Sequence, residues 1–209
     1  MTGSLRIQSG SHKGKRITPP VPSHGKSNAT PSLVKEAIFQ ILRSRFGADL
    51  PSYAFFDLCA GSGQIGLEAL SCGFGEIHIV EPDQDRFTSI MEVVRKNRFE
   101  VHLHKKQMLR MVSHIIERPK SVIFIDLPYS FWEGESCPAI RQFLEHFDRA
   151  IRSAGTHPVE CEGLIIIQGA SPYAEAQTPE SPVFGDIEVK RYRKNYLTLI
   201  RFFAGRAHI

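Results

Sequence analysis

The chain has 209 residues, with 26 Lys and Arg against 22 Asp and Glu and a net charge of +4. A content of 42% hydrophobic and 23% charged residues suits one buried core, excludes a disordered or fibrous chain, and leaves little room for two domains. No apolar run reaches the roughly 18 residues that span a bilayer, and Met1-Thr2-Gly3-Ser4-Leu5-Arg6 has no hydrophobic signal core, so a cytoplasmic protein away from membranes is expected.

The four cysteines, Cys59, Cys72, Cys137 and Cys161, form no C-x-x-C pair, which argues for reduced packing residues rather than a zinc framework or a disulfide scaffold. Positive charge collects at two ends. Arg6, Lys13, Lys15, Arg16, Lys26, Lys35, Arg43 and Arg45 are opposed only by Glu36, and Lys190, Arg191, Arg193, Lys194 and Arg201 gather near the other end. Two basic ends around a near-neutral middle suggest a polyanionic partner.

In chain order, residues 5–18 read as a short hairpin, with Gly10 and Gly14 as turn residues, and Pro19 to Ala29 reads as a loop. Thr30-Pro31 gives an N-cap followed by proline at the first helical position. Leu33, Val34, Ala37, Ile38, Ile41, Leu42 and Phe46 then recur at helical spacing and stop at Gly47. From Tyr53 strands and helices alternate: strand Tyr53–Leu58, helix Gln64–Ser71, strand Ile77–Val80, helix Gln84–Asn97, strand Val101–His104 and helix Met108–Glu117. Strand Ser121–Asp126, a helix marked by Ile140, Phe143, Leu144, Phe147 and Ile151, and strand Gly163–Gln168 continue the pattern. Strands near Val183–Arg191 and Tyr196–Phe203 follow with no helix between them, so they should be antiparallel. The alternation predicts an α/β fold with a mostly parallel sheet.

The turn Phe56-Asp57-Leu58-Cys59-Ala60-Gly61-Ser62-Gly63-Gln64-Ile65-Gly66 leads from strand to helix, where glycines bring bare backbone N–H groups and a helix N-terminus close to a ligand. Glu81 ends the next strand, where a carboxylate can accept from both hydroxyls of a ribose. Strand, glycine turn, helix and acid together predict a nucleoside site, although the dinucleotide fingerprint of dehydrogenases has the same spacing. Asp57 favours the other choice, because an anion beside the turn repels a pyrophosphate and suits the sulfonium and ammonium of S-adenosylmethionine.

Asp126-Leu127-Pro128-Tyr129 follows the fourth strand, at the carboxyl edge where doubly wound sheets bind ligands. Such a motif suits an exocyclic amine, whose lone pair is delocalised into its ring. A carboxylate (Asp126) and a carbonyl (Leu127) that accept its two N–H bonds favour a pyramidal nitrogen, and a stacked ring (Tyr129) holds the extruded base.

With these segments in view the chain resembles the bacterial RsmD family, which methylates N2 of one guanine in small-subunit ribosomal RNA with S-adenosylmethionine. Leu5-Arg6-Ile7-Gln8-Ser9-Gly10 with Lys13-Gly14-Lys15-Arg16 is similar to the family's R-I-I-x-G…K-G-R/K opening. Val34-Lys35-Glu36-Ala37-Ile38-Phe39-Gln40-Ile41-Leu42 is similar to V-R-E-A-L-F-N-I-L. Asp57 to Gly63 and Gly66-Leu67-Glu68-Ala69-Leu70-Ser71 follow D-L-F-A-G-S-G…G-L-E-A-L-S almost letter for letter. Three positions depart from the pattern: Leu127 stands for the first proline of D-P-P-Y/F, Asn28-Ala29-Thr30-Pro31-Ser32-Leu33 for R-P-T-T-D-R, and Gln107 for the Asp or Asn that often faces the adenine.

The resemblance implies a Rossmann-like class I methyltransferase domain over 1–209: a seven-stranded, mostly parallel sheet with an antiparallel last strand, preceded by a basic hairpin and helix (1–47) that grip RNA. It implies S-adenosylmethionine held by Asp57, Ala60, Gly61, Ser62, Gly63, Glu81, Gln107 and Asp126, with Asp126, Leu127, Pro128 and Tyr129 positioning the amine. Arg6, Lys13, Lys15, Arg16, Lys35 and Lys194 would meet the phosphates of 16S rRNA in the 30S subunit or its assembly intermediate, and a monomer is expected. Other readings are a DNA adenine-N6 methyltransferase with a similar D-P-P-Y device, a non-catalytic ribosome-assembly factor with the same fold, and, more remotely, an NAD-dependent dehydrogenase. His102 and His104 alternate on one strand, but with no third ligand in view and a chemistry that needs no metal they read as ordinary strand residues. Trp132 could line a base pocket or simply pack.

Overall fold

The computed structural model describes residues 5–17, 30–153 and 161–204; the loop expected over Pro19–Ala29 lies outside them, as do Asn28 and Ala29 of the segment before the first helix. Two compact units divide the chain, residues 1–107 and 108–209.

The N-terminal unit opens with strands β1 (Leu5–Arg6) and β2 (Arg16–Ile17), paired antiparallel with Leu5 opposite Ile17, as the hairpin pattern predicts. Helix α1 (Ser32–Phe46) follows. Its start differs from expectation: Pro31 itself is the N-cap, with ψ of 142°, and no side-chain hydrogen bond caps this end. The extended ψ keeps proline outside the helix while its carbonyl accepts from Lys35 N at 3.0 Å. The buried face also differs. Val34, Lys35, Ala37, Ile38, Phe39 and Leu42 face inward, whereas Leu33 is exposed.

Strand β3 (Ala54–Asp57), helix α2 (Gln64–Cys72), strand β4 (Glu76–Val80), helix α3 (Gln84–Asn97) and strand β5 (His102–His104) complete this unit. β3 pairs parallel with β4, and β4 with β5, so consecutive strands joined by helices lie side by side. The wholly buried Ala54-Phe55-Phe56-Asp57 is what a parallel strand covered on both faces requires. Asp83 caps α3 by accepting from the backbone N–H groups of Asp85 and Arg86, which explains the sharp start at Gln84. His102 and His104 share a sheet face, as their alternation implies. The parallel register adds what the strand alone could not show: His78 pairs with His102, and Glu76 lies two residues before His78 on the same face.

The C-terminal unit begins with a 3₁₀ turn (Met108–Met111) and the short helix α4 (Val112–Ile116), where one continuous helix was expected. Met111, Val112 and Ile115 are buried, but Pro119 follows closely and five residues make little more than one α turn. Strand β6 (Lys120–Asp126), helix α5 (Pro138–Ser153) and strands β7 (Cys161–Gly169), β8 (Phe184–Tyr192) and β9 (Asn195–Ala204) follow. β6 pairs parallel with β7, and β9 runs antiparallel to both β7 and β8. The seven strands run in the order β5-β4-β3-β6-β7-β9-β8, a mostly parallel α/β sheet closed by antiparallel strands. Among the described residues no helix is long and apolar enough to cross a membrane.

Candidate active site

The glycine turn stands at the carboxyl end of β3. Gly61 and Gly63 have φ of 55° and 73°, values that L side chains rarely adopt, and Gly63 is the N-cap of α2. Gly66 meets a different demand. A Cβ there would lie 2.6 Å from Ile79 Cγ1, so glycine lets the first turn of α2 press onto β4.

Two acids hold the turn in shape. Asp57 is wholly buried, and its Oδ2 accepts from Gly66 N at 2.9 Å. It therefore holds the start of α2 against the end of β3. Glu81, only 4% exposed, accepts from Gly61 N at 2.8 Å through one oxygen and from Asp83 N at 3.0 Å through the other. Each oxygen keeps lone-pair capacity for a further donor. Burial pushes the Glu81 carboxyl above its ordinary value, while the N–H groups of Asp83 and Gly61 pull it back. Ala60 N is tied to Val80 O at 3.0 Å, and Glu81 N to His104 O at 3.1 Å, so Glu81 is positioned from both flanking strands. Ser62 is half-buried in the turn, and Gln107 is exposed in the segment after β5.

Asp126 ends β6 in the other unit. It is half-buried, as are Leu127 and Pro128, while Tyr129 is 57% exposed and opens a 3₁₀ turn, Tyr129–Phe131. Desolvation, and then the charge of Asp126, raise the Tyr129 phenol above its ordinary value, so the carboxylate and the ring act on each other. The hydroxyl donates a long hydrogen bond of 3.4 Å to Asn195 Oδ1, beside the β8–β9 turn that carries exposed Arg193 and Lys194. No pattern in the sequence signals this contact, which depends on how a distant hairpin packs. Trp132 packs against Gly169, where a Cβ would lie 2.5 Å from its ring, and meets Tyr173 edge-on at 6.4 Å.

The basic candidates divide. Arg6, Lys13 and Arg16 are exposed, and half-buried Lys15 lies over the Phe99 ring at 4.8 Å. Lys35 needs correction as a phosphate contact. It is fully buried, its Nζ donating to Arg6 O at 3.1 Å and pairing with Glu68 Oε2 at 3.1 Å. Burial lowers the Lys35 ammonium from its ordinary value, opposed by Glu68. Glu68 also accepts from Gln8 N, Ser9 N and Ser9 Oγ. The signal was present in the sequence, since Lys35 stands three and four residues before the buried Ile38 and Phe39.

A seven-stranded sheet of this order, with a glycine turn after its β3 and an acid after its β4, defines the class I methyltransferase fold. Solved structures agree. The Escherichia coli protein yhhF, assigned as a methyltransferase, matches with a TM-score of 0.62 at 18% identity over 96% of this chain and 98% of that one. HI0767 of Haemophilus influenzae, assigned as a methylase, gives 0.60 at 18% identity over 96% and 99%. The precorrin-6y C5,15-methyltransferase of Geobacter metallireducens gives 0.56 at 16% identity over 86% and 93%. The family described as Conserved hypothetical protein 95 matches residues 5–149, and the chain belongs to that family, the RsmD family. No curated protein matches the sequence. Family and fold together support methyltransferase activity of the class I kind.

Proposed function

We propose that this protein methylates the exocyclic N2 of a guanine in 16S rRNA, with S-adenosylmethionine as donor. The observation that carries this reading is the placement of half-buried Asp126 at the end of β6 with the exposed ring of Tyr129 three residues on. S-adenosylmethionine, when bound, supplies an electrophilic methyl group on a sulfonium. The turn fits such a group: positive-φ glycines leave room for close approach, Glu81 keeps acceptor capacity for ribose hydroxyls, and Asp57 adds a nearby negative charge. Ala60, Gly61, Ser62 and Gly63 would line it, with Gln107 toward the adenine.

The Asp126 carboxylate and the Leu127 carbonyl accept the two N–H bonds of the amine, which turns its lone pair outward, and Tyr129 stacks on the base to hold it after extrusion. The reaction needs no strong base beforehand, since the amine proton leaves to water once the nitrogen is cationic. Arg6, Lys13, Lys15, Arg16 and Lys194 supply sequence-independent phosphate attraction, and residues 1–47 form the RNA-gripping part of a single methyltransferase domain acting as a monomer in the cytoplasm.

The test is mass spectrometry of rRNA from cells lacking the protein, complemented with wild type or Asp126→Ala. The reading expects one N2-methylguanine to vanish and to return only with wild type. An unchanged profile overturns it, and methylation of DNA adenine instead of 30S particles would redirect it to the DNA reading.

A further inference from the structure

Independently of the methyl-transfer reading, we propose that Glu76, His78 and His102 form a binding site for a divalent transition cation of the zinc type. The site lies at the amino ends of β4 and β5, whereas the glycine turn and Glu81 follow the carboxyl ends of β3 and β4. Backbone geometry brings the three together. His78 and His102 are register partners on adjacent parallel strands, and Glu76 precedes His78 by one pleat repeat, so all three rise from one face.

The donor atoms converge. Glu76 Oε1 lies 2.8 Å from His78 Nε2 and 3.6 Å from His102 Nε2, and one donor atom from each residue lies within 4.8 Å of the other two. Tetrahedral zinc with bonds of about 2.0–2.2 Å sets its ligands roughly 3.3 Å apart, between those two separations. Two imidazoles and one carboxylate leave a fourth position for water.

The supporting shell is present too. His78 is 2% exposed, its ring stacked on Phe56 at 4.3 Å between centroids, and its Nδ1 lies 2.9 Å from His104 Nε2. Coordination through Nε2 puts the ring proton of His78 on Nδ1, where His104 Nε2 accepts it, the kind of partner that fixes the orientation of a ligating histidine. His102 is 60% exposed and Glu76 32%, so a cation can enter from solvent without opening the core. The bound ion would pin β5, a three-residue strand at the sheet edge, onto β4.

The test is calorimetric titration of the full chain with Zn²⁺, with Co²⁺ absorption to read coordination geometry. The expected result is one ion per chain, a tetrahedral cobalt spectrum, and a raised melting temperature. His102→Ala, at a solvent-exposed position, should weaken binding about 100-fold or more, and His104→Gln about 10- to 100-fold. A Cys59→Ser/Cys72→Ser variant should bind as wild type. No binding by wild type, binding unchanged in His102→Ala, or binding lost only in the cysteine variant would each overturn the proposal.

Discussion

The acids of the N-terminal unit and Asp126 of the C-terminal unit differ in how deeply they are buried. Asp57, Glu68 and Glu81 are all buried, and each accepts from backbone N–H groups of its own unit: Gly66 for the first, Gln8 and Ser9 for the second, Gly61 and Asp83 for the third. Asp126 is half-buried beside an exposed tyrosine, whose hydroxyl makes one long contact. A buried carboxylate that gathers amides is part of the fold and stands ready before any ligand arrives. An exposed ring such as Tyr129 is, on the proposed function, completed by the substrate. Changes in the first region should therefore be read mainly in stability, and changes in the second mainly in turnover.

The largest effect is expected at the buried pair. Lys35→Met strips Glu68 of the ammonium it pairs with in a site that excludes water, and removing one member of such a pair costs about 3–5 kcal/mol. Denaturant unfolding measures it. A loss under about 1 kcal/mol would mean that the amides of Gln8 and Ser9 suffice for Glu68 and would blunt the comparison. Asp126→Asn is the counterpart: methyl transfer should fall about 10²-fold through lost positioning of the amine, with the unfolding midpoint unchanged. Equal damage to stability would erase the distinction between the two regions.

How far the sequence reveals these regions follows from the kind of contact each uses. The glycine turn, Glu81 and the strand–helix alternation are local patterns, and the helix Gln84–Asn97 is legible to the residue in its apolar spacing, with the Asp83 cap and the left-handed Arg98 fixing its ends in the structure. Lys35, a basic residue among other basic residues, has the local pattern of a surface position. Its place on the inward stripe with Ile38 and Phe39 outweighed its charge once Glu68 was there to pair with it. The match through Ser71 also has a physical reading. Glu68 and Ser71 face the N-terminal hairpin, Ser71 accepting from His12 N through its hydroxyl at 2.8 Å and from Ser11 N through its carbonyl at 2.9 Å. The histidine and glutamate cluster was out of reach, since the pairing of His78 with His102 is a register between strands separated by a whole helix.

A third effect, about tenfold per pH unit at its steepest, should come from Glu81. Its folded-state pKa is raised above 4.5 chiefly by burial, so protonation favours the fold and this group's contribution to stability improves as pH falls. Cofactor binding runs the other way, because the ribose hydroxyls need an ionised acceptor. Calorimetry with S-adenosylmethionine should show affinity beginning to fall at a pH above the ordinary glutamate range, without loss of fold from this group. Glu81→Gln should weaken binding at neutral pH and flatten that dependence; a dependence surviving in this variant would place its origin in another group.

The smallest effect separates the two parts of Tyr129. If the ring is the platform, Tyr129→Ala should lose about 1–3 kcal/mol of stacking on the base, read as a lower kcat/KM on 30S particles. Tyr129→Phe keeps the ring and removes only the 3.4 Å contact with Asn195, a bond too long and too exposed to contribute much. Its activity should stay within about fivefold of wild type, since the net worth of even a normal hydrogen bond is about 1 kcal/mol. A large loss in Tyr129→Phe would show that the hydroxyl holds the β8–β9 turn in place for the substrate. The acceptor motif would then share the built-in order of the N-terminal acids, and its dependence on substrate for completion would be the weaker account.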